Sequence, residues 1–183
     1  MTVFITGSPR GGTTCLARVV NSLGVPVLHT PDLQTTLEWV GLGDMLRSDN
    51  WSVAVEIIRN EAPKGEYCIK SPGILGHLAG HLSEFGNPKI LYVLRDPMAI
   101  HHSIIRHTSR VDPDALRLIM EEQDRAIHLL PTLACPFMVV SYERLVTRTE
   151  LAVREIAEFL HVDFTAAAIS EVVIGDRRYI KEN

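Results

Sequence analysis

A glycine-rich segment near the start of the chain has the composition of an anion-binding loop. Residues 7–14 read GSPRGGTT, after a short apolar run and before an amphipathic one. A strand, a glycine turn and a helix start in this order leave backbone amides free to hydrogen-bond a phosphate. The spacing from Gly7 to Gly12 matches the loop of ATP-binding proteins, but Thr13 stands where those loops carry lysine, which argues against an ordinary ATP or GTP enzyme. The segment predicts a phosphate loop with Arg10 as its cation, unless the glycines only supply the angles of a strand-to-helix turn.

Three further polar residues, Lys70, Arg95 and Tyr142, each stand at or directly after the end of an apolar run. In sheets of parallel strands, ligands bind at the carboxyl ends of the strands. We therefore expect these three residues and Arg10 to surround one crevice. Three cations imply a ligand with several anionic groups. Arg95 can bind a second phosphate bidentately, with Ser103 donating from the following helix.

The elements that must position these residues alternate along the whole chain. Strands are expected at residues 3–6, 25–28, 66–70, 89–94 and 137–141. Helices are expected at residues 13–23, 37–46, 51–60, 74–85, 97–107, 113–130 and 165–174, with a further helix ending at residue 160. The spacing of Thr147 and Glu150 predicts a capping box that starts this further helix. The alternation predicts an α/β fold, a three-layer parallel sheet with helices on both faces.

The overall composition is that of a soluble globular protein. Hydrophobic residues make up 46% and charged residues 22% of 183 residues, so we expect a single domain over residues 1–183. The net charge of -4 argues against broad binding to nucleic acid or acidic membranes, because either would need a basic face. The three cysteines favour reduced thiols, and no apolar run approaches membrane-spanning length, so we expect a cytoplasmic location.

Three segments, in order, resemble the sulfotransferases that use 3′-phosphoadenosine 5′-phosphosulfate. Residues 7–14 are similar to that family's loop for the 5′-phosphosulfate, in which Lys or Arg precedes a small residue, Gly and two Thr or Ser. Residues 91–97, with Ser103 eight residues after Arg95, are similar to its 3′-phosphate site. Residues 141–145 are similar to its Tyr-Glu-Asp-Leu segment. The resemblance implies a P-loop nucleoside-triphosphate-hydrolase-like sulfotransferase fold and an enzyme that uses this nucleotide as sulfuryl donor, with no metal required.

The resemblance also implies a role for each strand-end residue. The 5′-phosphosulfate would be bound by the loop residues Arg10, Gly11, Gly12, Thr13 and Thr14. Lys70 resembles the family lysine that reaches the same group, where it would act with the loop arginine in catalysis; the alternative is a solvated strand-end cation. Arg95 and Ser103 would bind the 3′-phosphate, unless Arg95 instead pairs with Asp96 or a helix end. Tyr142 would contact the adenine, or else it is a core aromatic residue.

The general base is the least defined part of the predicted site. In many members of the family a histidine lies two residues after the strand-end lysine, but this chain has Pro72 there. Other branches use a carboxylate in the segment after the first helix. Glu38 is therefore the first candidate, and His29 and Asp32 are the second. The alternative for Glu38 is a solvated residue on a helix face.

The histidines and the basic tail have weaker functional signals. His77 and His81 have the spacing of one helix face but lack the Glu of a zinc-protease motif between them. A second histidine group consists of His101, His102 and His107. We interpret both groups as polar-face residues and expect no metal site. Arg177 and Arg178 could close over the nucleotide as the family's C-terminal basic segment does, or form a solvated tail.

These features support three functional hypotheses. The leading one is a sulfotransferase that moves a sulfuryl group to a hydroxyl, or as second choice an amine, of a small-molecule or saccharide acceptor. The second is a P-loop small-molecule kinase, favoured by the chain length and glycine spacing but opposed by Thr13. The third is a nucleotide-binding module without catalysis, suggested by Pro72 at the usual histidine position.

Overall fold

The computed structural model describes residues 1–29, 37–39, 41–48, 50–62 and 64–172. Its centre is one parallel sheet with the strand order β2-β3-β1-β4-β5. The strands are β1 Thr2–Gly7, β2 Val27–Leu28, β3 Tyr67–Lys70, β4 Lys89–Leu94 and β5 Phe137–Ser141. The sheet and its helices confirm the α/β fold class predicted from the sequence.

At least one helix lies in each of the four connections between consecutive strands. The helices are α1 Thr13–Ser22, α2 Leu42–Arg47, α3 Trp51–Glu61, α4 Leu75–Leu78, α5 Pro97–Thr108, α6 Ala115–Leu129, α7 Tyr142–Thr147 and α8 Thr149–Leu160. Short 3-10 turns occupy Leu82–Phe85 and Leu130–Thr132, and residues 166–172 are helical. None of the helices within the described ranges is long and apolar enough to cross a membrane.

Both faces of the sheet are covered by helices. Alternate residues of the central strand β1 point to opposite sides, and each side packs into its own core. Val3 and Ile5 pack into a core that α1 and α8 complete. Phe4 points into a second core, built with α2, α3, α4 and α6. Phe4 is fully buried and meets Phe85 edge-on at 4.9 Å. Burial of one such side chain contributes about 1.5–3 kcal/mol, so these two cores fix the strands in their order.

The register of the strands brings three loops to one edge of the sheet. In the central strand, Ile5 is paired with Lys70 of β3 and Gly7 with Val93 of β4. The amide of Gly73 then donates to the carbonyl of Gly7 at 3.0 Å, so the chain after β3 continues beside the end of β1. The segments that follow β1, β3 and β4 therefore leave the sheet side by side.

Local sequence signals explain where α1 ends and where α5 begins. Gly24, with φ +89°, follows the end of α1 in the left-handed conformation that glycine adopts without strain. Asp96 caps α5 by accepting a hydrogen bond from the Ala99 amide at 2.8 Å, with Pro97 in the first turn. Both features agree with the expectations from the sequence.

Three helix predictions need correction. Residues 37–39 are not helical and α2 begins at Leu42, so Glu38 lies in a connecting segment. The helix expected over residues 74–85 is split into α4 and a 3-10 turn, because Gly76 and Gly80 give this stretch low helix propensity. Thr147 does not cap α8: it is the last residue of α7, and its hydroxyl donates to the Glu143 carbonyl at 2.7 Å.

Candidate functional site

The glycine-rich loop joins the central strand β1 to helix α1. Its turn is closed by the Gly11 amide, which donates to the Ser8 carbonyl at 2.8 Å. Arg10 has φ 65°, a left-handed conformation that costs a non-glycine residue about 1–2 kcal/mol. Two contacts hold it there: Arg95 Nη1 donates to the Arg10 carbonyl at 3.0 Å, and Arg10 Nε donates to Ser103 Oγ at 3.3 Å. The loop arginine is therefore fixed by both residues predicted for the second phosphate.

Gly12 packs directly against the ring of Tyr142 at the N-terminus of α1. A Cβ at this position would lie 2.2 Å from Tyr142 Cδ2, and the backbone φ is +102°. Both facts require glycine here. The Tyr142 ring is buried, 5% exposed, and the Arg95 guanidinium lies 4.5 Å from its centroid. Tyr142 thus supports the loop through its contact with Gly12. Its contact with a nucleobase stays a prediction.

The backbone at Arg95 and Asp96 is also fixed by side-chain hydrogen bonds. Gln123 on α6, itself buried, donates from Nε2 to the Arg95 carbonyl at 2.8 Å. Glu143 on α7 accepts from the Asp96 amide at 2.9 Å. Sequence reasoning missed Gln123, and it quoted Glu143 within the segment 141–145 without a role of its own. Gln123 had a detectable signal, because it shares the inner face of an amphipathic helix with Ile119 and Ala126.

Lys70 ends β3 on the other side of the loop and is not a solvated cation. The residue is 3% exposed, and its Nζ donates to Thr14 Oγ1 at 2.8 Å and to Glu38 Oε1 at 2.7 Å. Burial lowers the pKa of Lys70, while the Glu38 carboxylate raises it. Arg18 on α1, which sequence reasoning also missed, adds to the lowering. The ammonium is thus held in a mostly desolvated place where an anion would interact strongly with it.

Glu38, the first candidate for the base, lies at the mouth of a small cavity. Its side chain is 40% exposed, and the cavity of about 70 Å³ is also lined by Trp39, Lys70 and Pro72. The structure therefore joins Glu38 to the predicted lysine, although the segment that carries it is not helical. Glu38 is neither on a helix face nor without a partner.

Residues 43–166 match the model of a family described as the sulfotransferase family. This chain belongs to the sulfotransferase family. The resemblance stated from three sequence segments is thereby confirmed. The matched span covers more than half of the chain and includes Lys70, Arg95 and Tyr142, whereas the glycine-rich loop precedes it.

A curated relative of this chain is the protein-tyrosine sulfotransferase of Drosophila melanogaster. The two are 26% identical over 195 residues, covering 91% of this chain and 39% of the relative. The chain therefore spans about two fifths of the length of that relative.

Several solved structures share the fold of this chain. The sulfotransferase domain from the curacin biosynthetic pathway superposes with a TM-score of 0.61 at 20% identity, over 91% of this chain and 75% of that one. A mouse sulfotransferase complexed with PAP gives 0.56 at 17% identity, over 93% and 62%. Shikimate kinase from Bacteroides thetaiotaomicron gives 0.52 at 16% identity, over 88% and 98%. These likenesses place the chain in the P-loop sulfotransferase fold.

The structure gives less information on the remaining candidates. His29 directly follows β2, and Asp32, Arg177 and Arg178 lie outside the described residues. His81 stacks on Trp51 at 4.3 Å instead of sharing a site with a second histidine. Among the described residues, no group of three or more His, Cys, Asp or Glu side chains could hold a metal ion.

Proposed function

We propose that this protein transfers a sulfuryl group from 3′-phosphoadenosine 5′-phosphosulfate to a hydroxyl, or as second choice an amine, of a small-molecule or saccharide acceptor. The observation that carries the proposal is the arrangement of three cations at neighbouring strand ends. Arg10 follows β1, the buried Lys70 ends β3, and Arg95 follows β4. Hydroxyl donors accompany them on both sides of the loop. The set suits a nucleotide with separate anionic groups.

The chemistry of these side chains fits the two ends of such a nucleotide. Thr14 and Lys70, with the loop amides, form one group of donors near the N-terminus of α1, where backbone amides favour anions. Arg95 and Ser103 form a second group, connected to the first through Arg10. The first group would bind the 5′-phosphosulfate, and the second would bind the 3′-phosphate.

The proposed reaction needs charge neutralisation and one proton acceptor. The acceptor oxygen forms a bond to sulfur while the bond from sulfur to the phosphate oxygen breaks, and the hydroxyl proton passes to a base. Lys70 and Arg10 stabilise negative charge that grows on the leaving phosphate, so no metal is needed. Glu38 is the proposed base, because its carboxylate lies within hydrogen-bonding distance of Lys70 and at the mouth of a cavity.

We propose the cytoplasm as the setting of this activity, and the cysteines support it. Cys15, Cys68 and Cys135 are free thiols, which supports a reducing compartment such as the cytoplasm. The protein would act there as one domain on an acceptor of low molecular weight. The curated relative is a protein-tyrosine sulfotransferase, so phenolic acceptors belong in any panel of substrates.

Nucleotide selectivity tests the proposal. Ligand at about 100 times its Kd adds about 2.7 kcal/mol of stability, which raises the Tm by about 5–10 °C for a chain of this length. We expect this shift with 3′-phosphoadenosine 5′-phosphate, and a much smaller one with AMP or with ATP and magnesium. Equal stabilisation by all three nucleotides would overturn the proposal.

A P-loop kinase is the second candidate, favoured by the similarity to shikimate kinase. It predicts magnesium-dependent stabilisation by ATP and phosphoryl transfer. Thr13 in place of the loop lysine opposes it. A module without catalysis would bind the bisphosphate but give no transfer with any acceptor in the panel.

A further inference from the structure

One peptide unit connects strand β4 to helix α5 at the second group of donors. It joins Arg95 to Asp96, after the end of β4 and before the start of α5. The ladder between β4 and β5 ends just before it, with Leu94 beside Ser141. The carbonyl and the amide of this peptide therefore need hydrogen-bond partners from other parts of the chain.

Two side chains bind this peptide from opposite sides. On α6, Gln123 donates from Nε2 to the Arg95 carbonyl at 2.8 Å. On α7, Glu143 Oε1 accepts from the Asp96 amide at 2.9 Å. The carbonyl and the amide of a trans peptide point in opposite directions, so the two contacts hold one peptide plane at both of its polar groups. A rotation of this plane would break both hydrogen bonds.

Both side chains are themselves held in place. Gln123 is 5% exposed and shares the inner face of α6 with Ile119 and Ala126. Buried amide groups in proteins are nearly always hydrogen-bonded, and the Arg95 carbonyl provides that partner for Gln123. Glu143 uses its second oxygen to accept from Ser141 Oγ at 3.3 Å. The two contacts on the peptide are thus made by side chains with fixed positions.

The orientation of this peptide determines where both donors of the second group lie. The Arg95 guanidinium lies 4.5 Å from the centroid of the Tyr142 ring, and its Nη1 donates to the Arg10 carbonyl at 3.0 Å. Asp96 caps α5, the helix that carries Ser103. Because the peptide plane sets ψ of Arg95 and φ of Asp96, its rotation would move the guanidinium relative to the Ser103 hydroxyl.

We propose that Gln123 and Glu143 are positioning residues for the 3′-phosphate: they fix the Arg95–Asp96 peptide so that Arg95 and Ser103 can bind one phosphate group without rearrangement. They act through Arg95 and not by contact with the ligand. This role rests on the proposed function, because it requires a nucleotide with a 3′-phosphate. A donor that is fixed before the ligand arrives loses less conformational freedom on binding, so the affinity that Arg95 contributes depends on the two contacts.

The test removes each contact in turn and includes a conservative variant and a matched control. Gln123→Met has a side chain of nearly the same length without a donor. Glu143→Leu has no acceptor, and Glu143 is exposed, so this variant should fold. In Glu143→Gln the side-chain oxygen can still accept from the Asp96 amide. Asp124→Met is the control, because it places the same side chain on the next residue of α6, which is exposed.

The preference for 3′-phosphoadenosine 5′-phosphate over AMP is measured as the ratio of the two Kd values, by titration calorimetry. We expect this preference to fall by about 3- to 10-fold in Gln123→Met and in Glu143→Leu, the effect of losing one hydrogen bond. Glu143→Gln and Asp124→Met should keep the preference of the wild type. Hydrogen exchange of the Asp96 amide, measured by NMR, should accelerate by about tenfold or more in the first two variants only.

A double variant separates positioning from a general effect on the fold. In Arg95→Met the group that the two contacts position is absent. Adding Gln123→Met to this variant should therefore cause no further loss of the preference for the bisphosphate. A further loss as large as that of Gln123→Met alone would mean that Gln123 acts independently of Arg95, which contradicts the proposal.

Other results would also overturn the assignment. An unchanged preference in folded Gln123→Met and Glu143→Leu would mean that the peptide contacts do not serve the 3′-phosphate. An equal loss of affinity for both nucleotides would mean that the contacts only support the fold. If the wild type bound the bisphosphate no more tightly than AMP, the proposed function would fail, whereas faster exchange of the Asp96 amide in the two variants would still support the fixed peptide.

Discussion

Lys70 Nζ lies 2.7 Å from Glu38 Oε1, so the proposed cation and the proposed base form one hydrogen-bonded pair. The lysine is buried, whereas the carboxylate is 40% exposed and faces a cavity. The pair joins the end of β3 to a segment that precedes it by 32 residues. A ligand that accepts a hydrogen bond from Lys70 would therefore change the hydrogen bonding of the Glu38 carboxylate.

We expect Glu38→Gln to lose transfer but to keep bisphosphate binding. Removing a general base lowers the rate by about 10²–10⁴-fold, while the glutamine oxygen can still accept from Lys70. The transfer rate and the bisphosphate Kd are measured together. Asp44→Asn is the comparison, because Asp44 lines the same cavity. Full activity in Glu38→Gln with a loss in Asp44→Asn would reassign the base.

The affinity for the bisphosphate should fall as the pH rises toward 10. Burial lowers the pKa of Lys70, so its ammonium loses the proton at lower pH than an ordinary lysine. Only the charged form attracts the anion, and therefore the Kd rises with pH. Titration calorimetry from pH 7 to 10 measures this slope. Lys70→Arg, which stays charged throughout, should give a flat profile; the same slope in that variant would assign the effect to another group.

The strand-end cations were predictable because buried parallel strands are apolar runs that end abruptly. Arg10, Lys70 and Arg95 follow such runs, and the topology of the sheet brings them together. The strand ends, the end of α1 at Gly24 and the start of α5 at Asp96 follow from the residue types at those positions alone.

Contacts between distant segments could not be read from the sequence. The partner of Glu38 depends on how an irregular segment lies over β3. The environment of Glu122 depends on its proximity to Tyr92 and Ser8, and these three residues belong to α6, β4 and the glycine-rich loop. The sequence contained one indication of this environment: Glu122 is a charged residue beside the buried positions Ile119 and Ala126 of α6.

Discrimination for the 3′-phosphate should depend on Arg95. We expect Arg95→Met to reduce the preference for 3′-phosphoadenosine 5′-phosphate over AMP by about 10- to 150-fold, since hydrogen bonds to charged groups contribute about 1.5–3 kcal/mol. The ratio of the two Kd values measures it. Arg106→Met, an exposed change on α5, the helix that follows Arg95, should leave the ratio unaltered. An equal loss of both affinities would mean that Arg95 acts only by supporting the loop.

The contact between Gly12 and Tyr142 should be intolerant of any side chain. Gly12→Ala brings a Cβ to 2.2 Å from the ring at φ +102°. The strain and the overpacking together should reduce the free energy of unfolding by about 2–4 kcal/mol, measured by urea denaturation. Gly24→Ala is the control, because its φ is +89° but no atom lies within 4 Å. Equal losses in the two variants would show that only backbone strain matters at Gly12.

Replacement of Glu122 should stabilise the protein in a pH-dependent way. Burial raises the pKa of Glu122 above its unfolded value, so its ionisation destabilises the folded state increasingly as the pH rises through that pKa. Glu122→Gln removes this penalty. We therefore expect a higher free energy of unfolding than wild type at pH 7.5, and a smaller difference at pH 4.5, in urea denaturation. Glu121→Gln, an exposed neighbour paired with Arg117, should show no such gain. A gain of equal size at both pH values would mean that ionisation of Glu122 is not the cause.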